Sequence, residues 1–234
     1  MSIAGDPRQN HILAALPETD FTRLNPQLEA TVLPLGWAVY EAAIPLKYLY
    51  FPTDGIVSLL HLMENGASGE IAVVGNEGVV GISLFMGSKT MPNRAIVQSV
   101  GHAYRLPATT LEAEFRRGGP LQHGLLRYTQ ALITQMSQTA VCNRHHTVDQ
   151  QLCRWLLLRL DRLPSDEINM TQELIANMLG VRRMGVTEAA AKLQNDGLIR
   201  YARGNITVID RQRLEARACE CYAGVKKETD RLLG

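Results

Sequence analysis

Residues 182–194 carry polar and charged side chains that can form hydrogen bonds with the bases and phosphates of DNA. Arginine can bond guanine with two nitrogens at once, and threonine, glutamate, lysine and glutamine offer donors or acceptors to base edges or the backbone. The chemistry these residue types indicate is recognition of double-stranded DNA rather than covalent catalysis. The residues are Arg182, Arg183, Thr187, Glu188, Lys192 and Gln194.

The surrounding stretch, residues 170–199, predicts the element that presents these side chains. An apolar helical run follows Thr171 and ends at Gly180, and a second helical run carries Val186. Thr171 is suited to accept a hydrogen bond from a free amide at the start of the first helix, and Gly180 can take a positive φ at its end. Two short helices around a glycine turn indicate a helix-turn-helix. A plain helical hairpin with a charged face is the alternative.

A β-hairpin is predicted directly after the second helix. Leu198–Tyr201 and Ile206–Ile209 are short β-prone runs on either side of a glycine-containing turn. This is the layout of a winged helix, and it puts Arg203 at the tip, within reach of a backbone phosphate. A final helical region, capped by Asp210, is expected to break near Gly224.

Residues 31–107 have a different character, because short runs rich in valine, isoleucine and tyrosine alternate with glycines and prolines. Many short strands at near-regular spacing predict a β-sandwich or small barrel, whose interior commonly holds a ligand. The predicted strands are 32–33, 37–40, 47–51, 56–62, 70–74, 95–100 and 102–106.

The segment 73–97 is the least strand-like part of this region. Its four glycines would let backbone amides approach a ligand, and Ile82–Phe85 could form one helical turn. Arg94 is its only arginine and could pair with a phosphate or carboxylate. Ordinary connecting turns and a surface arginine are the alternative.

A long helix is predicted from Pro120, since proline is favoured in the first turn of a helix. One stripe along it recurs every seven residues, as in helices that pair with a partner helix. We expect this stripe to form a dimer interface, the alternative being a helix buried on both sides within one chain. The stripe comprises Leu126, Thr129, Ile133, Met136 and Ala140. The apolar run 148–163 is expected to begin a second core.

Composition narrows the possible functions. The formal net charge is +1, but residues 1–118, with eight basic and eleven acidic side chains, carry −3 and the remainder carries +4. The sequence contains no apolar run long enough to span a membrane, and no catalytic triad, Walker loop or paired catalytic carboxylates. We therefore expect neither an enzyme nor a membrane partner.

No cofactor or metal is expected from the cysteines and histidines. Adjacent helical residues point about 100° apart, so His145 and His146 fit a solvated helix end better than a metal or haem site. Cys142 lies close by, and Cys219 and Cys221 are expected to be structural rather than redox-active.

This order of features resembles the Crp/Fnr transcription regulators over nearly the whole chain. The resemblance implies an α+β protein with an N-terminal β-roll or jelly-roll barrel (residues 1–118), a central dimerisation helix (119–147) and a C-terminal winged helix-turn-helix (148–234). It also implies a cytoplasmic homodimer that binds a palindromic operator, responds to an effector at the β-roll and acts with RNA polymerase.

The same resemblance points to a degenerate cyclic-AMP pocket. Relatives that bind cyclic AMP hold the ribose with a Gly-Glu-Leu turn, but here Gly81 is followed by Ile82 and Ser83. Asn93 and Arg94 occupy the positions of the Arg-Ser pair that holds the phosphate. These five residues are the predicted effector site, and the missing glutamate argues against ordinary cyclic-AMP recognition. The amino-terminal cysteine cluster of the iron–sulfur relatives is also absent.

On the second helix of the helix-turn-helix, the resemblance implies that Arg183 keeps a guanine contact. Met184 stands in place of a glutamate and could touch a thymine methyl, while Glu188 reverses an arginine charge. The operator should therefore differ from that of well-known members. An alternative function is a small-ligand or haem/redox sensor that acts through a protein partner. The predicted DNA-binding residues are Thr171, Arg182, Arg183, Met184, Thr187, Glu188, Lys192 and Arg203.

Overall fold

A computed structural model describes residues 5–234 of the chain. These residues form two compact units. One contains the chain up to Leu59, residues 73–133 and residues 229–234, and the other contains 60–72 and 134–228. None of the helices within this described part has the length and apolar character that a membrane span requires.

The first unit begins with two short helices, α1 (His11–Ala14) and α2 (Glu18–Leu24). Asn10 is fully buried and holds this segment in place. Its Oδ1 accepts from the amide of Ile12 at 3.1 Å, and its Nδ2 donates to the carbonyls of Pro52 and Gly78 at 3.0 and 2.8 Å. A buried side-chain amide bonded to several backbone groups fixes the position of this N-terminal segment more specifically than apolar packing alone.

Seven strands follow and confirm the predicted β-rich region. They form two sheets, with orders β1-β7-β3 and β2-β6-β4-β5, which fit a β-roll, and the β1–β7, β3–β7 and β2–β6 pairs are antiparallel. The strands are β1 (Glu29–Leu33), β2 (Ala38–Tyr40), β3 (Tyr48–Pro52), β4 (Ile56–Leu62), β5 (Ser68–Val74), β6 (Arg94–Ser99) and β7 (Gly101–Pro107).

The core of the roll is formed by large apolar side chains of its strands. Leu33, Leu49, Phe51 and Leu106 are fully buried, and Leu49 lies opposite Leu106 in the register of β3 and β7. Burying side chains of this size stabilises a fold by about 1.5–3 kcal/mol each. All four residues lie in the β1-β7-β3 sheet, and Val80 of the glycine-rich segment pairs with Tyr50 of that sheet.

Three helices follow the strands: α3 (Ala108–Arg117), α4 (Pro120–His145) and α5 (Val148–Leu160). Pro120 is the first residue of α4, as predicted. The start of α5 is fixed by a capping box, in which Thr147 and Gln150 each satisfy the other's backbone amide.

The remaining elements belong to the second unit, apart from the end of the last helix. They are β8 (Glu167–Asn169), α6 (Gln172–Leu179), α7 (Arg183–Asn195), β9 (Ile199–Ala202), β10 (Asn205–Val208), α8 (Arg211–Arg217) and α9 (Glu220–Leu233). The predicted break near Gly224 is wrong, because α9 runs through it and the break falls at Ala218, which is extended. A glycine within a helix costs only about 1 kcal/mol, so the packing of α9 can override it.

A buried ion pair lies inside the second unit. Arg159 on α5 and Glu70 on β5 are only 1 and 8 % exposed. Two parallel bonds join them, Nη1–Oε1 at 3.2 Å and Nη2–Oε2 at 2.5 Å, and the guanidinium also stacks 3.4 Å from the ring centroid of Trp155. Burial lowers the pKa of Arg159, and the Glu70 carboxylate opposes that shift.

We expect Glu70→Ala to destabilise this unit strongly, because Arg159 would keep its burial and lose the carboxylate that balances its charge. Removing one partner of a buried pair costs about 3–5 kcal/mol. Glu215→Ala is the control, since it breaks an exposed pair with Arg211 at 2.9 Å, worth at most about 1 kcal/mol. Urea unfolding followed by circular dichroism measures both, and similar losses in the two variants would contradict the assigned role of Glu70.

Candidate nucleic-acid interface

The start and end of α6 are fixed by the two residues the sequence singled out. The Thr171 hydroxyl accepts a hydrogen bond from the amide of Leu174 at 3.2 Å. Gly180 ends the helix in the left-handed region, with φ of 66°. Both predictions of local structure are confirmed, and together they set where α7 begins.

The inner face of the helix pair is apolar and closely packed. Val186 on α7 is fully buried, as predicted, and Ala176 on α6 is buried where the two helices approach. Leu193 and Ala190 continue the buried stripe along α7. Packing on this face leaves the opposite face of α7 toward solvent.

The opposite face of α7 carries the predicted polar side chains. Arg183 and Met184 lie in its first turn, directly after Arg182, which precedes the helix. The guanidinium of Arg183 is 3.9 Å from the Glu173 carboxylate, and both side chains are about two-thirds exposed, so water screens the attraction. Arg183 is therefore available to an external acceptor. The exposed set is Arg182, Arg183, Met184, Thr187, Glu188 and Lys192.

Two polar residues near this face also make internal bonds that the sequence did not predict. The Thr187 hydroxyl donates to Oε1 of Gln172 at 2.7 Å, which links α7 to the first turn of α6. Gln194, expected on the DNA-facing surface, accepts at Oε1 from the amide of Tyr201 at 2.7 Å. The first bond joins α7 to α6 and the second joins α7 to β9, so both side chains help to position α7.

The wing is a three-stranded antiparallel sheet with order β8-β10-β9. Arg203 and Gly204 form a two-residue turn with φ of 51 and 81°, and positive φ at both positions is the pattern of a type I′ turn. Two bonds fix the wing beside the start of α6: Tyr201 Oη donates to the Met170 carbonyl at 2.8 Å, and the Met170 amide donates to the Gly204 carbonyl at 2.7 Å. The predicted hairpin is confirmed, with Arg203 exposed at its tip.

Gly185 lies within α7. An added Cβ would lie 3.6 Å from a Val148 methyl, which is ordinary van der Waals contact. Nothing in the structure explains why glycine occupies this position.

The glycine-rich segment contains the predicted helical turn, a 3₁₀ turn at Ile82–Leu84. Gly81 precedes it with φ of 112°, and a Cβ there would lie 3.1 Å from Leu46 and 3.3 Å from the Tyr48 carbonyl oxygen. A larger residue is therefore disfavoured by the backbone conformation and by the tight space. Ser83 is buried, and its hydroxyl has no hydrogen-bond partner among the described residues.

The other two predicted effector residues are Arg94, the first residue of β6, and Asn93, which precedes it. Asn93 is buried and donates to the Tyr40 hydroxyl at 3.0 Å, while burial raises the pKa of Tyr40 to about 12. Arg94 donates to Oε1 of Glu41 at 2.8 Å, and both side chains are partly exposed. In this structure Glu41 therefore already accepts one of the hydrogen bonds that Arg94 can donate.

The predicted dimerisation stripe is only partly exposed. Leu126 and Ile133 are 48 and 55 % exposed, Ala140 is exposed and Met136 is intermediate. Thr129 is buried, and its hydroxyl donates to the Leu125 carbonyl at 2.9 Å, so it does not belong to the exposed row. Its polarity is satisfied within its own helix, which the seven-residue repeat did not reveal.

Three cysteines and one histidine that the sequence left without a role lie together. Cys142, Cys219 and Cys221 are buried, and His146 is largely buried, so the interpretation of His146 as part of a solvated helix end is wrong. His145, its neighbour, is exposed. Their convergence was hidden because Cys219 lies 77 residues from Cys142.

Comparison with known protein families agrees with a helix-turn-helix in the second unit. Residues 150–217 match the family described as the Crp-like helix-turn-helix domain. The comparison with curated proteins gave no match.

Several solved structures have a similar fold. A protein assigned to the crp/fnr family from Eubacterium rectale is 18% identical, with a TM-score of 0.70 over 88% of this chain and 96% of that one. FixK2 from Bradyrhizobium japonicum is 17% identical, with a TM-score of 0.69 over 82% and 98%. The c-di-GMP responsive global regulator CLP from Xanthomonas campestris is 16% identical, with a TM-score of 0.67 over 83% and 100%. The expectation that the chain is not an enzyme agrees with these comparisons.

Proposed function

Because the chain has the fold of the Crp/Fnr transcription regulators and carries a Crp-like helix-turn-helix domain, we propose that it is a homodimeric, sequence-specific regulator of transcription. The observation that carries this proposal is the polar face of α7, which is exposed beside a capped α6 and a wing. We propose that residues 1–118 sense the signal, 119–147 dimerise and 148–234 bind DNA.

We assign base contacts and phosphate contacts to different residues according to their positions on and beside α7. Arg183, Met184 and Glu188 face the bases, with Arg183 bonding guanine and Met184 beside a thymine methyl. A two-fold dimer would present its recognition helices to successive major grooves about 34 Å apart, which requires a palindromic operator. The contacts with the phosphate backbone come from Arg182, Thr187, Lys192, Arg203 and the first turn after Thr171.

We expect Arg183→Ala to weaken binding to an operator selected from a random DNA pool by about 1–3 kcal/mol, or roughly 5- to 150-fold. Arg183→Lys should restore the positive charge that Arg183→Ala removes but little of the preference for guanine, because an ammonium group cannot make two parallel hydrogen bonds to the base. Arg116→Ala is the control, since it removes an 81 % exposed arginine from α3. Fluorescence anisotropy at fixed salt measures all three, and unchanged affinity and selectivity in Arg183→Ala would contradict this assignment.

The proposed dimer interface is the exposed apolar row on α4. Leu126, Ile133 and Ala140 recur every seven residues and are exposed, and Val141 lies beside them. Large apolar side chains exposed in a row on one helix are typical of a surface that pairs with another helix. Met136 lies at the edge of this row.

We expect Ile133→Glu to convert the dimer to a single chain of 25.9 kDa, because two carboxylates would oppose each other across the interface. Leu35→Glu is the control, since Leu35 is 66 % exposed and outside α4. Light scattering after size-exclusion chromatography gives the mass, and circular dichroism verifies folding. A folded Ile133→Glu protein that keeps the mass of two chains would contradict the proposed interface.

We propose that an anionic effector acts at the β-roll and replaces Glu41 on Arg94. Support comes from the partly exposed Arg94, from the Ser83 hydroxyl without a bond and from the close approach of the backbone at Gly81. Ile82 provides no carboxylate for a ribose, and buried Asn93 is already bonded to Tyr40, so the ligand should differ from cyclic AMP. The Xanthomonas campestris regulator responds to c-di-GMP, another anion.

Native mass spectrometry of the purified protein should detect a small anion that Arg94→Ala loses. Arg105→Ala is a matched control, because Arg105 forms an equally exposed pair with Glu29 at 2.8 Å. Added cyclic AMP should leave the melting temperature of the protein unchanged. Absence of any adduct, or its retention in Arg94→Ala, would contradict the proposed effector site.

Two broader features complete the proposal. A regulator that binds operator DNA works where the chromosome is, so we propose a cytoplasmic location. We also propose RNA polymerase as a partner, because a regulator of transcription at an operator acts on polymerase recruitment.

A further inference from the structure

Four side chains that bind soft metals converge within the second unit. Cys142 lies near the end of α4 and His146 directly after it, while Cys219 precedes α9 and Cys221 lies in the first turn of α9. One ligand atom from each side chain can be chosen so that all four lie within 4.8 Å of one another. The cysteines are buried and not joined by a disulfide.

Two of the separations between ligand atoms match those of tetrahedral coordination. With metal–sulfur bonds of about 2.3 Å and metal–nitrogen bonds of about 2.0–2.1 Å, neighbouring ligand atoms in a tetrahedron lie about 3.3–3.8 Å apart. Cys142 Sγ lies 3.5 Å from Cys219 Sγ, and Cys221 Sγ lies 3.6 Å from Nδ1 of His146. Both separations fall in that range, and both are much longer than a disulfide bond of about 2.05 Å.

The surroundings of His146 are those of a metal ligand. Its second nitrogen, Nε2, lies 3.4 Å from the Glu220 carboxylate, while Nδ1 lies on the side of Cys221. Histidines that bind metals commonly donate their other ring N–H to a carboxylate in this way. The Gln151 side chain also donates to the His146 carbonyl at 2.9 Å, which fixes the backbone.

We propose that Cys142, His146, Cys219 and Cys221 bind one Zn²⁺ ion in a closed structural site. Three thiolates and one imidazole are an established donor set for structural zinc, and four protein ligands leave no position for a substrate. Hard cations such as Mg²⁺ and Ca²⁺ prefer oxygen ligands and would not be selected. The site joins the end of α4 to the segment between α8 and α9.

The first test measures the metal content of the full chain, purified without an affinity tag or chelator under reducing conditions. Plasma mass spectrometry should find one zinc per chain, and Cys219→Ser, Cys221→Ser and His146→Ala should each lose it. The matched controls should keep it. They are Cys153→Ser, a buried cysteine on α5 outside the cluster, and His145→Ala, the exposed neighbour of His146.

A second measurement does not depend on whether the variants fold. Metal-stripped wild-type protein titrated with Co²⁺ alone should develop the visible bands of a tetrahedral thiolate complex at one equivalent, and Zn²⁺ should abolish them.

The Glu220→Gln variant should bind Co²⁺ about 10- to 100-fold more weakly than the wild type, because the His146 imidazole loses its neighbouring carboxylate.

Several outcomes would overturn the proposal. Folded wild-type protein without zinc that gives no cobalt bands would exclude the site. Equal metal loss in the control variants would show that zinc binds elsewhere, and a Cys142–Cys219 disulfide found by peptide mapping under the same reducing conditions would assign the cluster to redox chemistry instead.

Discussion

The buried charge of Arg159 is the constraint on which the second unit depends. A guanidinium with 1 % exposure must keep its partners, since an uncompensated charge in an apolar interior costs several kcal/mol. Its carboxylate comes from Glu70 on β5, 89 residues earlier in the chain, so α5 can take its place only together with residues 60–72 of the β4–β5 hairpin. Because α5 packs against both α7 and α8, the same constraint extends to the helix-turn-helix.

Local structure was predictable wherever the signal lay within a few residues. The Thr171 cap, the left-handed Gly180, the buried Val186, the strands of the roll and the Arg203–Gly204 turn all depend on neighbours in sequence, and the structure confirms them. The break near Gly224 failed for the opposite reason, because a weak local preference was overridden by the packing of the whole helix.

The pairings that give the candidate sites their chemistry were not predictable, because they join distant parts of the chain. Nothing in the run around Arg94 indicates that Glu41 bonds it, 53 residues away. The meeting of Cys142 with Cys219 likewise depends on where α4 ends and α9 begins. A seven-residue repeat also cannot distinguish an exposed row from a row that contains a buried threonine whose hydroxyl is satisfied within the helix, as Thr129 is.

The contribution of residues 60–72 to the second unit affects how the protein can be engineered. A chimera that grafts only residues 148–234 onto another sensor would carry Arg159 without Glu70, and Cys219 and Cys221 without Cys142 and His146. The proposed DNA-binding domain therefore cannot be transferred intact through a single junction at residue 148. A graft that preserves its interior must also transfer residues 60–72 and the last turns of α4.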